Sequence, residues 1–180
     1  MRDVWFTSDL HLNHELLRKI RNIDTIDEMN ERIITAYNER VKPQDIVYIL
    51  GDFAFNVQKS QLHKTTKLFN GEKNLILGNH DKLTINHAGD HGFNWIKHYD
   101  EVTCGEYRFI LFHYPILSWH WIQNPKVMHL FGHVHGNMDE ALIPYKSMDV
   151  GVDTREDLAP YHIDEVIEIL SKKKQFSYKD

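Results

Sequence analysis

The chain has 180 residues, 42% of them hydrophobic and 26% charged, with a net charge of −5. This length and balance suit one domain spanning residues 1–180 with an ordinary core, and exclude a disordered or fibrous chain. The acidic balance argues against stable nucleic-acid binding, the lone Cys104 excludes an internal disulfide or thiolate cluster, and no apolar run approaches the ~20 residues of a membrane span.

The start, Met1-Arg2-Asp3-Val4, carries charge early and does not resemble a signal peptide, so a reducing cytoplasm is the expected location. Val4 to Ser8 predicts a first strand that runs into Asp9, His11 and His14, with Asn13 as the cap of a short helix through Ile20. Thr25-Ile26-Asp27-Glu28 has the spacing of a capping box, and Ile26, Met29, Ile33 and Tyr37 then recur on one helical face until Pro43. Ile46 to Leu50 predicts a second strand ending in Gly51-Asp52, followed by a helix over Gln58 to Asn70 stopped by Gly71. The third apolar run, Leu75 to Leu77, ends in Gly78-Asn79-His80-Asp81. Two β-then-α units before a third strand imply a parallel sheet covered by helices.

From Asp81 to Asn94 no period stands out, and a loop is expected before a strand near Trp95 to His98. Glu101 to Cys104 and Tyr107 to Phe112 flank Gly105-Glu106, a glycine-first pair suited to a two-residue hairpin. The second half of the chain therefore looks antiparallel or mixed. Phe112 delivers His113, and after a segment bounded by Pro115 and Pro125 the run Val127 to Phe131 delivers Gly132-His133-Val134-His135. Within that segment Trp119 and Trp121 either close the core or line a substrate pocket. Met148 to Asp153 reads as a short strand and turn, and Ile163, Val166, Ile167 and Leu170 mark a last amphipathic helix.

Five apolar runs thus end in Asp, Asn or His, at the strand ends where ligands bind in open α/β sheets. Asp9 and His11 are two residues apart, which in extended chain turns both side chains to one side, and His133 and His135 repeat the spacing. With Asp52, Asn79 and His113 they make seven nitrogen and oxygen donors. Seven is too many for one tetrahedral zinc and suits two five- or six-coordinate divalent ions sharing a carboxylate. Without sulfur the set suits Mn, Fe, Zn, Co or Ni, with availability deciding which fills it and Mn the expected ion. Such a pair can hold a bridging water made hydroxide near neutrality and can clamp an in-line phosphoryl displacement.

Asp9-Leu10-His11, Gly51-Asp52, Gly78-Asn79-His80-Asp81, His113 and Gly132-His133-Val134-His135, in this order, resemble the calcineurin-like metallophosphoesterase superfamily. Its small bacterial and phage members share Gly51-Asp52-Phe53-Ala54-Phe55, His113-Tyr114-Pro115 and Asp149-Val150-Gly151-Val152-Asp153 as well. The resemblance implies a four-layer α/β/β/α sandwich with mixed sheets. It also implies one metal on Asp9, His11, Asp52 and His135, and another on Asp52, Asn79, His113 and His133. In the same analogy His80 is the general acid, with Asp81 orienting it or capping the next segment. The continuation Phe53-Ala54-Phe55-Asn56 lacks the Asp-Arg-Gly of the Ser/Thr protein phosphatase branch, which speaks against a protein phosphatase.

The expected substrate is a small phosphate ester, with a nucleotide or phosphodiester favoured because a tryptophan can stack a base. His14 is a further possible phosphate contact, and Arg18 and Lys82 are nearby cations. A nuclease of the same superfamily and a non-catalytic scaffold of this fold are the alternatives; the short acidic chain counts against the first and the intact donor set with His80 against the second. The oligomeric state is not legible in the sequence.

Overall fold

The computed structural model describes residues 2–57, 59–81, 91–143 and 145–177. In chain order these form β1 (Val4–Thr7), α1 (Glu15–Ile20), α2 (Ile26–Arg40), β2 (Ile46–Ile49), α3 (Lys59–Thr66), β3 (Glu72–Ile76) and β4 (Trp95–Lys97). Then come β5 (Tyr99–Cys104), β6 (Tyr107–Phe112), β7 (Val127–Phe131), β8 (Ser147–Asp149), β9 (Tyr161–His162) and α4 (Ile163–Ser171). The first sheet has the order β4-β3-β2-β1-β9, parallel except for β9; the second has the order β5-β6-β7-β8, parallel except for β5. Both sheets are mixed, as expected.

Strand alternation sorts the apolar side chains into three layers. Trp5, Val47, Ile49 and Leu75 face outward from the first sheet and meet Met29, Ile33 and Tyr37 of α2. Phe6, Leu50 and Ile76 face inward and meet Phe109, Leu111, Met128 and Leu130 of the second sheet, where Val166 and Leu170 of α4 join them. The outer face of the second sheet carries Ile110 and Val127, covered by Trp119 and Ile122. The result is a layered α/β sandwich whose outermost cover over the second sheet is built of turns.

Several expectations change in detail. Asn13 does not cap α1; His14 does, its Nδ1 accepting from Leu17 N–H at 3.4 Å, while Asn13 takes a left-handed backbone and pairs with Asn30. Thr25 caps α2 as expected, accepting from Glu28 N–H at 3.1 Å. The third helix stops at Thr66 rather than Asn70, because the N–H groups of Leu68 and Phe69 bond to the carbonyls of Thr65 and Thr66 and tighten the chain into turns. β3 starts at Glu72, earlier than its apolar run. Lys73 is tolerated there because its Nζ reaches the carbonyls of Phe69 and Gly71, at 2.7 and 2.8 Å. The two-residue β9 had no periodic signal at all. Most of the loop before Trp95, including Lys82, lies outside the described residues.

Trp119 belongs to the core. It is 8% exposed and its ring centre lies 5.4 Å from that of His129, a fully buried residue of β7. His129 Nδ1 lies 3.0 Å from the Ile110 carbonyl oxygen and must donate to it, leaving Nε2 to accept from Ile116 N–H at 3.4 Å. Burial outweighs the backbone bonds with Ile110 and Tyr114 and pushes the imidazole down to about 4. Its folded value thus lies below an unfolded value of about 6.5. Stability is complete above that value and declines as pH falls toward 4, by on the order of 3 kcal/mol. We expect urea midpoints to drop between pH 7 and 4.5, and to drop clearly less in His129→Gln. An equal loss in both proteins would place the responsible proton elsewhere.

Candidate metal centre

Every parallel strand that ends near the seam between the sheets hands over at least one donor. β1 leads into Asp9 and His11, β2 into Asp52, β3 into Asn79 and His80, β6 into His113 and β7 into His133 and His135. The chain does not stay extended there. Asp9, His11, Asp52, His133 and His135 all have left-handed backbones, with φ of 57°, 48°, 54°, 71° and 51°. The two-residue spacing therefore does not work by strand alternation as the sequence suggested. Left-handed residues turn the chain sharply, and their Cβ crowding costs on the order of 1 kcal/mol each.

Close approach requires glycine at these exits, at Gly51 as well as at Gly78 and Gly132. A Cβ on Gly78 would run into the Asp52 carboxylate, and one on Gly132 into Ser8 Oγ and Asp9 Oδ2. Asp81 ties the exits together. Its carboxylate accepts from the backbone N–H groups of Asp52 (2.8 Å), Phe53 (3.1 Å) and Gly78 (2.9 Å). It thereby joins the β2 and β3 loops through the backbone, a different role from orienting the His80 ring. Burial raises its pKa despite these bonds.

The side chains then converge. His11 Nε2 lies 3.4 Å from Asp52 Oδ2 and 3.7 Å from Asp9 Oδ1, and His135 Nε2 lies 3.7 Å from that same Asp9 oxygen. His113 Nε2 is 3.6 Å from Asp52 Oδ2, so one carboxylate oxygen stands between His11 and His113. Asn79 Oδ1 sits 3.1 Å from His113 Nε2 and 3.0 Å from His133 Nδ1. Asp9, His11 and His135, and likewise Asp9, Asp52 and His113, form groups whose donor atoms lie within 4.8 Å of one another. Separations of 3.4 to 3.7 Å match two ligands each about 2.1 Å from a common ion.

Proton bookkeeping supports this. The Leu50 carbonyl oxygen, 2.6 Å from His113 Nδ1, can only accept, so Nδ1 carries the proton and Nε2 turns a lone pair toward Asn79 and Asp52. Likewise His135 Nδ1 donates to Asp153 Oδ2 at 2.6 Å, and its Nε2 lone pair faces Asp9 Oδ1. Asp9 Oδ1 and both ring nitrogens of His11 are buried without a hydrogen-bond partner. Burial is the largest influence on Asp9 and opposes its ionisation. The nearby His11 ring, together with the fields of His113 and His135, still holds its carboxyl below the usual range. Acceptors facing acceptors in a dry site call for cations between them.

Two residues that the sequence did not single out stand behind His135. Gly151 pairs with Ser8 at the end of β1, which carries Asp153 to the guanidinium of Arg21. Arg21 donates to both Asp153 oxygens, at 2.7 and 2.9 Å, and to the carbonyls of Asp9 and Leu10, at 2.8 and 2.9 Å. Burial works against the Asp153 carboxylate, but Arg21 and His135 bring it down to about 2, and the same bond raises His135. Asp153 was visible only as part of a shared motif. Arg21, 132 residues away, carried no signal.

His80 stands exposed at the rim, its backbone N–H held by Asp52 Oδ1 at 2.8 Å and its ring centre 5.2 Å from that of His11. His14 lies beside both, 5.1 Å from His11 and 5.7 Å from His80, and burial lowers its pKa. Its Nδ1 is spent on the α1 cap. Phe55 packs on His14 and His80, and Tyr114 on His113 and His133. Trp119 and Trp121 are not brought to this cluster. Trp119 is part of the cover over the second sheet, and Trp121, 47% exposed, stacks on Arg108 at the beginning of β6, roughly 17 Å of strand from His113. Arg18 is committed to Glu15 and to the carbonyls of Ile23 and Asp24.

No protein-family model matches the chain. It is 30% identical to the protein MJ1445 of Methanocaldococcus jannaschii, over 97% of this chain and 94% of that one. It is 35% identical to the Gene 66 protein of Mycobacterium phage L5, over 87% of this chain and 69% of the phage protein. The chain belongs to their family. Among solved structures it shares its fold with the Aquifex aeolicus protein AQ665, with TM-score 0.73, 23% identity, and coverage of 94% of this chain and 100% of the other. A fainter likeness to the Pseudomonas putida nuclease MPE, with TM-score 0.48 and 20% identity over 74% of this chain and 61% of that one, carries no weight. Kinship with MJ1445 and Gene 66 establishes descent, not a reaction; the chemistry has to come from the site.

Asp153 offers the sharpest test of the geometry. We expect Asp153→Asn to weaken Mn²⁺ binding about tenfold in competition with a chelator, because a carboxylate behind a ligating imidazole raises its basicity. Affinity equal to that of the unaltered protein would show that the Arg21-Asp153-His135 chain does not act on a metal.

Proposed function

We propose that the protein is a metal-dependent phosphoesterase that hydrolyses a small phosphate ester, a nucleotide or phosphodiester by preference, at a centre for two divalent cations with Mn²⁺ the first choice. The observation that carries this reading is that His113 and His135 each commit Nδ1 to an acceptor, the Leu50 carbonyl oxygen and Asp153 Oδ2, so that in the neutral rings Nε2 turns a lone pair toward the Asp52 and Asp9 oxygens. In this reading Asp9, His11, Asp52 and His135 hold one cation, and Asp52, Asn79, His113 and His133 the other. The placement of Asp52 Oδ2 between His11 and His113 supports a shared carboxylate. The cations would supply Lewis acidity toward phosphoryl oxygens and lower the pKa of water at the site.

The chain's own residues do the rest. Four positive charges against the two of Asp9 and Asp52 leave a cationic centre that attracts a phosphate ester. His80 stands within the same cluster of rings and can give its proton to the departing oxygen, while Phe55 and His14 restrict the ring. Asp81 fixes the distance between the loops that bear Asp52 and His80. Among the described residues no helix is long and apolar enough to cross a membrane. We place the enzyme in the cytoplasm, where the free thiol of Cys104 stays reduced.

His80→Ala should keep its bound metal, read by elemental analysis, yet lose about 10²- to 10⁴-fold in turnover of an ester with a poor leaving group. Esters with a good leaving group should be hurt far less. A variant as fast as the original protein on the poor leaving group would remove His80 from the acid role. Mono-, di- and cyclic nucleotides should be screened with Mn²⁺, Ni²⁺, Zn²⁺ and Mg²⁺ after chelation. At least one pair should turn over in a metal-dependent way; no hydrolysis with any of them would defeat the phosphoesterase reading.

A further inference from the structure

A cavity of about 450 Å³ opens beside His135, between α1, α2 and the loop that follows the Val152–Thr154 turn. Its floor is apolar, made by Leu17, Ile20, Ile23 and Leu158. Two guanidinium groups beyond that of Arg21 stand at its wall, and they differ in freedom. Arg155 is fixed by Asp157 at 3.0 Å and Glu165 at 3.2 Å. Arg32 is half-exposed, and its carboxylate neighbour, Glu28, lies 3.9 Å away. Arg32 can therefore turn toward a ligand at small cost, while Arg155 presents a rigid edge.

The size and lining narrow the occupant. Small-molecule pockets hold roughly 300 to 1,000 Å³, which this cavity satisfies for a base with its sugar. It is not an anion hole, because Glu156 shares the wall and Asp153 answers Arg21. With Arg21 answered by Asp153 and Arg155 by Asp157 and Glu165, a second phosphate would find little uncommitted positive charge. A neutral, flat group with a polar edge meets an aliphatic floor below and a guanidinium plane beside it, the surroundings in which nucleobases stack.

Position assigns the part of the substrate. The cavity includes His135, whose Nε2 points at Asp9, but none of His80, His14 or Phe55 lines it. A leaving group protonated by His80 departs on the His80 side, so whatever enters the cavity remains attached to phosphorus. We propose that this cavity is the subsite for the nucleoside retained on the phosphate, which makes the substrate a nucleotide ester cleaved on its far side. The proposal rests on the phosphoesterase reading and adds to it the class of the retained group.

Two esters with one leaving group separate the ideas: thymidine 5′-(p-nitrophenyl phosphate) and methyl p-nitrophenyl phosphate. Because only the retained group differs, kcat/KM should favour the thymidine ester at least tenfold. In Arg32→Ala and in Ile20→Asp, both at exposed positions that the fold does not need, that preference should fall about tenfold through KM of the thymidine ester. A preference unchanged by both substitutions, or no preference at the outset, overturns the subsite. If neither ester is cleaved under any metal, the phosphoesterase reading fails instead, and thymidine 5′-monophosphate binding to the metal-loaded protein still reads the cavity. Calorimetry should then show tighter binding than for methyl phosphate and a loss of that margin in Arg32→Ala. Equal affinities for the two phosphates overturn the proposal independently of turnover.

Discussion

Buried nitrogen and oxygen donors that crowd together, several of them without a hydrogen-bond partner, are the constraint on which this structure turns. Isolated in a dry pocket, the Asp9 and Asp52 carboxylates and the imidazoles of His11, His113 and His135 repel or go unsatisfied. The surrounding fold nevertheless fixes each of them: Leu50 sets the His113 tautomer, Asp153 sets that of His135, and backbone N–H groups of His80 and His133 hold the far oxygens of Asp52 and Asp9. An arrangement so firmly held against its own electrostatics is preorganised for positive charge. Preorganisation of this kind is where enzymes gain most, since nothing has to be reoriented as the reaction proceeds.

The backbone bears the complementary load. Five site residues adopt left-handed conformations that are uncommon outside glycine, and glycines make room where strand ends nearly touch. Strain of this sort persists only when its environment over-determines it. Here Arg21 grips the carbonyls of Asp9 and Leu10, and Asp81 grips the N–H groups of Asp52 and Phe53. The two clamps explain how short loops hold geometry that local preference opposes.

Much of this was legible in the sequence, for physical reasons that also mark its limits. Apolar runs that end in Asp, Asn or His identify a strand and its exit together, so β1, β2, β6 and β7 and their donors could be read directly, and Met29, Ile33 and Tyr37 announced the buried face of α2. Strand β9 is two residues long and its neighbour relation to β1 is purely tertiary, so no periodicity could reveal it. Backbone handedness at Asp9 and His135 was hidden because only glycine advertises it. The Arg21-Asp153 pair was hidden because ion pairs across 132 residues leave no local trace. Trp119 could be read two ways because a tryptophan beside a site and one beneath a sheet look alike until the buried His129 under it is known.

The donors also come from both sheets and from positions as far apart as Asp9 and His135. An unfolded chain does not hold them together, so cations that enter the pocket bind the native state in preference and draw the equilibrium toward it. They would act as a clasp across the sandwich, fastening β1, β2 and β3 to β6 and β7 at the edge where the helices offer no cover. The protein's resistance to unfolding would then follow the free metal concentration around it, and its durability and its chemistry would rise and fall together.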